Sequence, residues 1–307
     1  MLRFIFKRIL EAIPVLLIVA TVTFFLLHRM PGGPFDTEKA TTPEIKKQIE
    51  AYYGLDKPVT QQYFDYMKRL VLHGDLGPSQ KYFGWSVNEL LAGSLPVSME
   101  LGLEGLCFAL FFGLTAGVIA SLRKNTFGDY IPMSFATLGI CIPSFVTGPL
   151  LIIVFGILLG WFNTSGWFFP RDRVLPAMTL GLYYMAYISR LTRGGMLEIL
   201  NQDFIRTARA KGASEWRVVW RHSLRGGLLS VVSFLGPAIS GIVTGSLVVE
   251  TIFDIPGAAR FFIGAAFNRD GPMLMGTTLV YAVLVVVMNL LADIVQVWMN
   301  PRLRFDS

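Results

Sequence analysis

Glu100 and Glu104 stand four residues apart in an otherwise apolar run, a spacing that puts both carboxylates on one face of a helix. Like charges at that spacing repel, and a carboxylate inside lipid costs roughly 2.5–3.5 kcal/mol. The pair must therefore meet water, protein or protons. Two roles fit: an acidic patch at the outer end of a passage, receiving a cationic or amino-terminal group, or hydrogen bonding to neighbouring helices. Asp293 poses the same alternatives closer to the chain's end, so Glu100, Glu104 and Asp293 are the candidate pathway-lining residues. Catalytic chemistry finds little support. The only histidines, His28, His73 and His222, fall at boundaries or in loops, and neither an HExxH nor a GxSxG pattern occurs. Cys107 and Cys141 lie in apolar runs, where they read as small buried hydrophobes and not as a disulfide or metal framework. No Gly-Lys dipeptide occurs, which excludes a phosphate-cradling P-loop. No catalytic, cofactor-binding or metal-binding residue is expected in this chain.

A second kind of chemistry concentrates between Arg190 and Gly227, where eight Lys/Arg face three acids. A loop this basic is retained in the cytoplasm. Asp203 is placed to cap a short helix from Phe204 to Lys211, and Gly212 to end it. Ser214 is placed to cap a following helix that starts at Glu215-Trp216 and runs to about Leu224. The spacing predicts a helix–Gly–helix elbow with Phe204 and Ala208 on one face, and Arg217, Arg221 and Arg225 on another. An aromatic anchor beside a small-residue bend suits a peripheral protein gripping a membrane bundle. The competing reading is that the arginines only set topology and touch anionic lipid.

The elements that must position these groups are membrane helices. The chain has 307 residues, 53% of them hydrophobic and 16% charged, with a mean hydropathy of +0.54, more apolar surface than a soluble domain uses. Six spans are expected: Ile9 to Leu27, Val97 to Leu122, Ile131 to Leu159, Val174 to Ile188, Leu228 to Val249 and Gly276 to Met299. The first follows Arg3, Lys7 and Arg8 as a signal peptide would. It is long for one, however, and lacks a small-x-small cleavage pattern, so it is expected to be retained. Lys and Arg at the N-terminus, at Arg123-Lys124, in the basic segment and at Arg302 and Arg304 place both termini in the cytoplasm. The loop from His28 to Ser94 carries eight Lys/Arg balanced by its acids, and a segment this long crosses largely regardless of charge. The net charge of +6 follows topology, so no nucleic-acid partner is expected.

That long loop is expected to fold as a helical cap. Pro31-Gly-Gly-Pro34 forces a turn, Pro43 opens a helix carrying Ile45, Ile49, Tyr52 and Tyr53, and Pro58 breaks it. A second helix begins near Gln61, and Gly74 to Pro78 is a further turn. Tyr52, Tyr53, Tyr63, Phe64 and Tyr66 suggest packing. GxxxG patterns at Gly113–Gly117 and Gly241–Gly245 predict close helix contacts. Pro143, Pro149 and Gly236-Pro237 predict kinks in the third and fifth spans.

The segment Phe204-Ile-Arg-Thr-Ala-Arg-Ala-Lys-Gly212 resembles the cytoplasmic EAA loop of bacterial ATP-binding-cassette (ABC) importer permeases, in the form used by the dipeptide/oligopeptide/nickel family. The N-terminal Met1 to Pro14, Met30 to Pro34, Gly74 to Gly77, Glu250 to Gly257, Asn268 to Asp270 and Asn300 to Arg304 also look like this family, closest to the B-type subunits of its oligopeptide branch. The sequence departs from the general pattern at Arg206-Thr207, which stand for Glu-Ala, and at Arg225, where a late proline falls. It also departs at Ala258-Ala259, after Pro256-Gly257, and at Asn300.

The resemblance implies an all-α polytopic membrane protein of the bacterial inner membrane, forming half of a passage for oligopeptide uptake by alternating access. A dipeptide, nickel chelate, haem, sugar or antimicrobial peptide remains open as substrate within the family. It implies a second, C-type permease subunit, two cytoplasmic ABC ATPases holding ATP and Mg, a periplasmic peptide-binding protein and surrounding membrane lipid. ATPase contact falls to Phe204, Ile205, Arg206, Thr207, Ala208, Arg209, Ala210, Lys211 and Gly212. A self-sufficient channel or secondary transporter would need an ion relay or inverted repeat that the chain does not display. The expected division is 1–27 as N-terminal helix, 28–94 as periplasmic cap, 95–299 as a five-helix core and 300–307 as tail. The core contains the coupling loop 190–227 and a last periplasmic loop 250–275.

Overall fold

The computed structural model describes residues 2–29 and 43–299, although the surroundings of some residues within those stretches, Gly245 among them, are not described. The expected turn at Pro31 to Pro34 and the tail 300–307, with Asn300, lie outside the described residues. Helices dominate, and the only β pairing among the described residues is an isolated antiparallel bridge between Pro78 and Ser86. In chain order the helices are α1 (Leu2–Arg29), α2 (Pro43–Tyr53), α3 (Val59–His73), α4 (Val87–Leu122), α5 (Phe127–Cys141) and α6 (Ser144–Leu151). Next come α7 (Pro170–Leu200), α8 (Asp203–Ala210), α9 (Glu215–Arg217), α10 (Leu224–Gly227), α11 (Leu229–Ile252), α12 (Ala259–Asn268) and α13 (Gly271–Met299). π-helical turns widen the chain at Ile152–Leu158 and Val218–Ser223.

The chain forms two compact units, one from Met1–Val97 with Gly257–Leu284, the other from Ser98–Pro256 with Val285–Ser307. Contacts thus divide the chain differently from the boundaries expected at 27/28 and 94/95. In the first unit, Ala20 and Phe24 of α1, Tyr66 of α3, Val87 and Leu91 of α4, Phe261 and Ala265 of α12 and Met273 of α13 share one buried cluster. The cap aromatics divide by helical phase. Tyr63, Tyr66, Met67 and Leu70 recur at three and four residues and pack inward, while Phe64 and Tyr52 point outward. Gly74 closes α3 in a left-handed conformation (φ 63°), and the Asn88 side chain ties the turn by accepting from Leu76 N (2.9 Å) and donating to Gly74 O (2.8 Å).

The second unit is organised around α7, which packs against α5, α6, α10 and α11. Leu175, Leu180, Ala186, Ile188 and Met196 of α7 are buried. Gly113 and Gly117 of α4 let that helix approach closely. A Cβ at Gly117 would lie 2.5 Å from Thr192 Cβ and 2.6 Å from Ser189 O.

Among the described residues, three helices are long and apolar enough to cross a membrane: Ile5–Arg29, Val87–Leu122 and Gly271–Val295. Two bent pairs raise the number to five if each is one span. The fourth expected span, Val174 to Ile188, sits inside α7, whose ends carry Arg171, Asp172, Arg173, Arg190, Arg193 and Glu198. The six-span count is therefore not reproduced by helix length and composition alone. Two local expectations need correction. The third span is not one kinked helix: Ile142 is extended (φ −98°, ψ 117°), and the flanking segments Phe127–Cys141 and Ser144–Leu158 meet at 113°. The residue before a proline is pushed out of the helical region, and Pro143 enforces this on Ile142. In the fifth span α11 continues through Pro237, and a 52° bend falls at Leu228. Outward apolar side chains such as Phe6, Leu26, Phe111 and Ile157 belong in lipid or against a partner, since water disfavours them.

Candidate functional site

The basic segment is built from two short helices around one glycine. Gln202, extended at φ −73° and ψ 151°, precedes α8 without a side-chain cap. Asp203 is thus not the cap. It lies within the first turn, where its charge suits the helix N-terminus, 3.5 Å from the Arg206 guanidinium. Thr207 Oγ1 donates back to Asp203 O (3.0 Å). Gly212 follows α8 at φ 81°, a left-handed conformation that glycine adopts without strain. Ser214 Oγ accepts from Arg217 N (3.4 Å) and starts the second helix, which passes through the π-helical turn 218–223 into α10. Arg209 closes the bend from within, with Nε 2.8 Å and Nη2 3.1 Å from the two Glu215 carboxylate oxygens.

Packing assigns each side chain of the segment a direction. Ile205 is fully buried, as are Val218, Val219 and Ser223 on the π-helical turn that α8 packs against. Ala208 is half-buried, while Arg206, Thr207, Arg209, Ala210, Lys211 and Gly212 are exposed. Phe204 is 51% exposed, and Trp216 and Trp220 lie with ring centroids 5.1 Å apart, both turned outward. The segment is thus anchored by one apolar side chain and presents an aromatic and basic surface outward.

Glu100 and Glu104 share one face of α4, and Arg173 at the start of α7 meets both. Its Nη1 donates to Glu100 Oε1 and lies 3.4 Å from Glu104 Oε1. Trp167 Nε1 donates to Glu100 Oε2 (3.2 Å), and its ring lies 5.0 Å beneath the Arg173 guanidinium. Asp172 aims this loop. The Asn163 amide (2.5 Å), with the Phe169 (2.8 Å) and Phe168 (2.7 Å) N–H groups, holds its carboxyl below the usual carboxylate range. The two glutamates and one arginine leave a surplus negative charge, and Glu104 Oε2 is buried with no hydrogen-bond partner among the described residues. Asp293 lies half-buried on α13.

Sequence reasoning missed Arg173 and Trp167, because no periodicity links residue 100 to residue 173. It also missed the pair that fixes α5 to α7. Buried Asp129 takes Arg193 Nε at 2.6 Å and Nη2 at 2.7 Å in a two-pronged bridge, and accepts from Asn125 N (3.0 Å). Arg193 had been visible only as one of the eight cations of the basic stretch.

Comparison with known proteins places this arrangement. The family model for the binding-protein-dependent transport system inner membrane component matches residues 113–305, and the N-terminal model for such membrane components matches residues 1–88. The chain is 46% identical to the oligopeptide transport system permease protein OppB of Salmonella typhimurium, over 99% of this chain and 100% of that protein. It is 45% identical to OppB of Haemophilus influenzae over the same shares. Identity to the dipeptide transport system permease protein DppB of Bacillus subtilis is 42%, over 100% of this chain and 99% of that one. In fold, it resembles a chain of the MetNI methionine ABC transporter in an inward-facing conformation, with a TM-score of 0.59 at 17% identity, covering 69% of this chain and 97% of the other. The chain belongs to the family of inner membrane components of binding-protein-dependent transport systems.

Proposed function

We propose that this chain is one of two permease subunits of an ATP-driven importer that moves oligopeptides inward across the inner membrane. Full-length similarity to oligopeptide permeases supports that substrate class, with dipeptides as the second reading. A periplasmic peptide-binding protein delivers the substrate, and a C-type permease subunit completes the passage. Two cytoplasmic ATPases, which hold ATP and Mg, supply energy that a chain without a P-loop cannot.

The observation that carries the coupling role is the orientation of α8. It is fixed from behind by Ile205 and offers Phe204 to the outside, beside Arg206, Arg209 and Lys211. Phe204 fits an apolar pocket on an ATPase, and the cations fit charge-assisted contacts around it. Moving a passage from 1:99 to 99:1 requires about 5.5 kcal/mol of differential interaction. A short helix packed on the 218–223 turn passes such a bias into α10 and α11. In the passage itself, Glu100 is committed to Trp167 and Arg173. Glu104, with its unpartnered oxygen, remains the carboxylate for substrate contact.

The test uses Phe204→Cys and Ser214→Cys in the assembled transporter. Crosslinking of position 204 to an ATPase, together with labelling of position 214 only from the cytoplasm, is expected. Labelling of position 214 from outside intact cells overturns the orientation and the coupling role together. Competition of uptake by peptides of graded length then separates oligopeptide from dipeptide transport.

A further inference from the structure

The first unit carries an open cavity of about 940 Å³ that the transport reading does not use. It lies where α1 ends, between the last turns of that helix, α2, α3 and the α12–α13 junction. Its size is that of a small-molecule site. Its floor is apolar, with Phe24, Leu27, Leu274 and Met275. Its charge is one-sided: Lys57, Lys68, Arg69 and Arg269 line it against a single acid, Asp65.

That acid neutralises only one of the cations. Lys57 Nζ lies 2.8 Å from Asp65 Oδ2. The hydrogen bond from Lys57, reinforced by the fields of Lys57, Arg69 and Lys68, holds the Asp65 carboxyl below the usual range. Lys68, Arg69 and Arg269 make no ion pair with a carboxylate among the described residues.

Arg269 is held there against local preference. It sits at φ 57° and ψ 31°, a left-handed conformation that a side chain other than glycine or asparagine adopts at a cost. Its neighbour Asp270 is buried and clamped by Ser79 Oγ (2.5 Å), Lys81 N (3.1 Å) and Met273 N (3.1 Å), which leaves Arg269 no freedom to relax. Glycine or asparagine would hold this backbone with less strain.

We infer that this cavity binds an anionic phospholipid, its phosphate between Arg69, Lys68 and Arg269 and an acyl chain along α1. Three cations that form no ion pair with a carboxylate among the described residues call for an anion, and the adjoining apolar floor calls for a chain attached to it. The same turns of α1 expose Val22, Phe25 and Leu26, an apolar flank along which a tail can leave. The cavity lies at the end of a helix long enough to span the bilayer, at the depth of a lipid headgroup. With the N-terminus cytoplasmic, this is the outer leaflet.

The test is lipid retention by the purified transporter. The complex is exchanged into nanodiscs of phosphatidylcholine with a minor fraction of phosphatidylglycerol, extracted into detergent and weighed by native mass spectrometry. The wild type is expected to retain phosphatidylglycerol over phosphatidylcholine. Arg69→Gln with Arg269→Asn is expected to lose that preference about tenfold, in line with the attraction of basic side chains to anionic lipid. Asparagine tolerates the left-handed backbone, so Arg269→Asn alone keeps the fold and is expected to show a smaller loss at an unchanged melting temperature. Equal retention by wild type and double variant overturns the proposal, as does retention of neither lipid by the wild type. Displacement of phosphatidylglycerol by millimolar glycerol phosphate also overturns it, because a free phosphate would then suffice without the chain.

Discussion

Two charged regions of the second unit treat their charges in opposite ways. Around α7 most of the charge is consumed internally: Arg173 takes up Glu100 and one oxygen of Glu104, and Arg193 takes up Asp129. In the α8–α9 segment only Arg209 and Glu215 bind each other closely, and Phe204, Lys211, Trp216, Arg217 and Arg221 are left facing outward. A group satisfied within its own chain holds helices together, and a group left outside at an ordered, anchored position is set out for a partner. The difference is not one of residue type, since arginine serves both ends. It is set by whether a neighbouring helix brings a carboxylate within reach.

The strongest way to break this contrast is Gly212→Pro. Proline is confined near φ −65° and cannot hold the 81° of Gly212, so the bend between α8 and α9 is lost. Uptake and co-purification of the ATPases are expected to disappear while the permease still inserts, and normal peptide-stimulated ATP hydrolysis would dismiss the elbow. Next is Arg193→Met, which leaves nearly inaccessible Asp129 charged and unpaired. Such deletions cost about 3–5 kcal/mol, visible as a large fall in the detergent melting temperature. Arg173→Met is expected to cost less, about 2 kcal/mol, because solvent partly screens Glu100 and Glu104. Adding Glu100→Gln to that variant should recover part of the loss, and no recovery would separate Glu100 from the arginine.

Phe204→Ala sharpens the other side of the contrast. Truncating an interface anchor typically costs more than 1 kcal/mol, so ATPase association is expected to weaken about tenfold with no change in the permease's own melting temperature. The smallest effect is expected for Arg206→Gln. Its partner Asp203 is almost fully solvent-exposed and 3.5 Å away, a pair that water already screens. The melting temperature should stay put, and a measurable drop would mean the segment relies on its surface charges for its shape.

The serine cap and the glycine stop of the basic segment were legible because their determinants are local. A serine before Glu215-Trp216 and a glycine after a short basic helix each act within a turn of where they stand. The helix start was misjudged by one residue, because both Gln202 and Asp203 can precede a helix and only the backbone decides which is extended. The third expected span is broken more sharply than a kink, for another reason. Hydropathy sees the apolar run across Ile142-Pro143 as continuous, but the proline turns the chain through 113°. The cavity in the first unit left no signal in the sequence, since Arg269 belongs to a segment far from Lys57, Lys68 and Arg69 in the chain.

What the chain's order of residues settled alone is whatever sums along the backbone: apolar stretches of membrane length, a helical cap punctuated by proline and glycine, a basic segment with a stop at Gly212. What tertiary structure decided is who meets whom: Arg173 with residues 73 and 69 positions earlier, Asp270 with Ser79, and Gly257–Leu284 with Met1–Val97. The physical reason is range. Helix propensity and hydropathy are properties of a few neighbouring residues, whereas an ion pair or a buried cluster exists only once packing has brought distant helices to within a few ångströms.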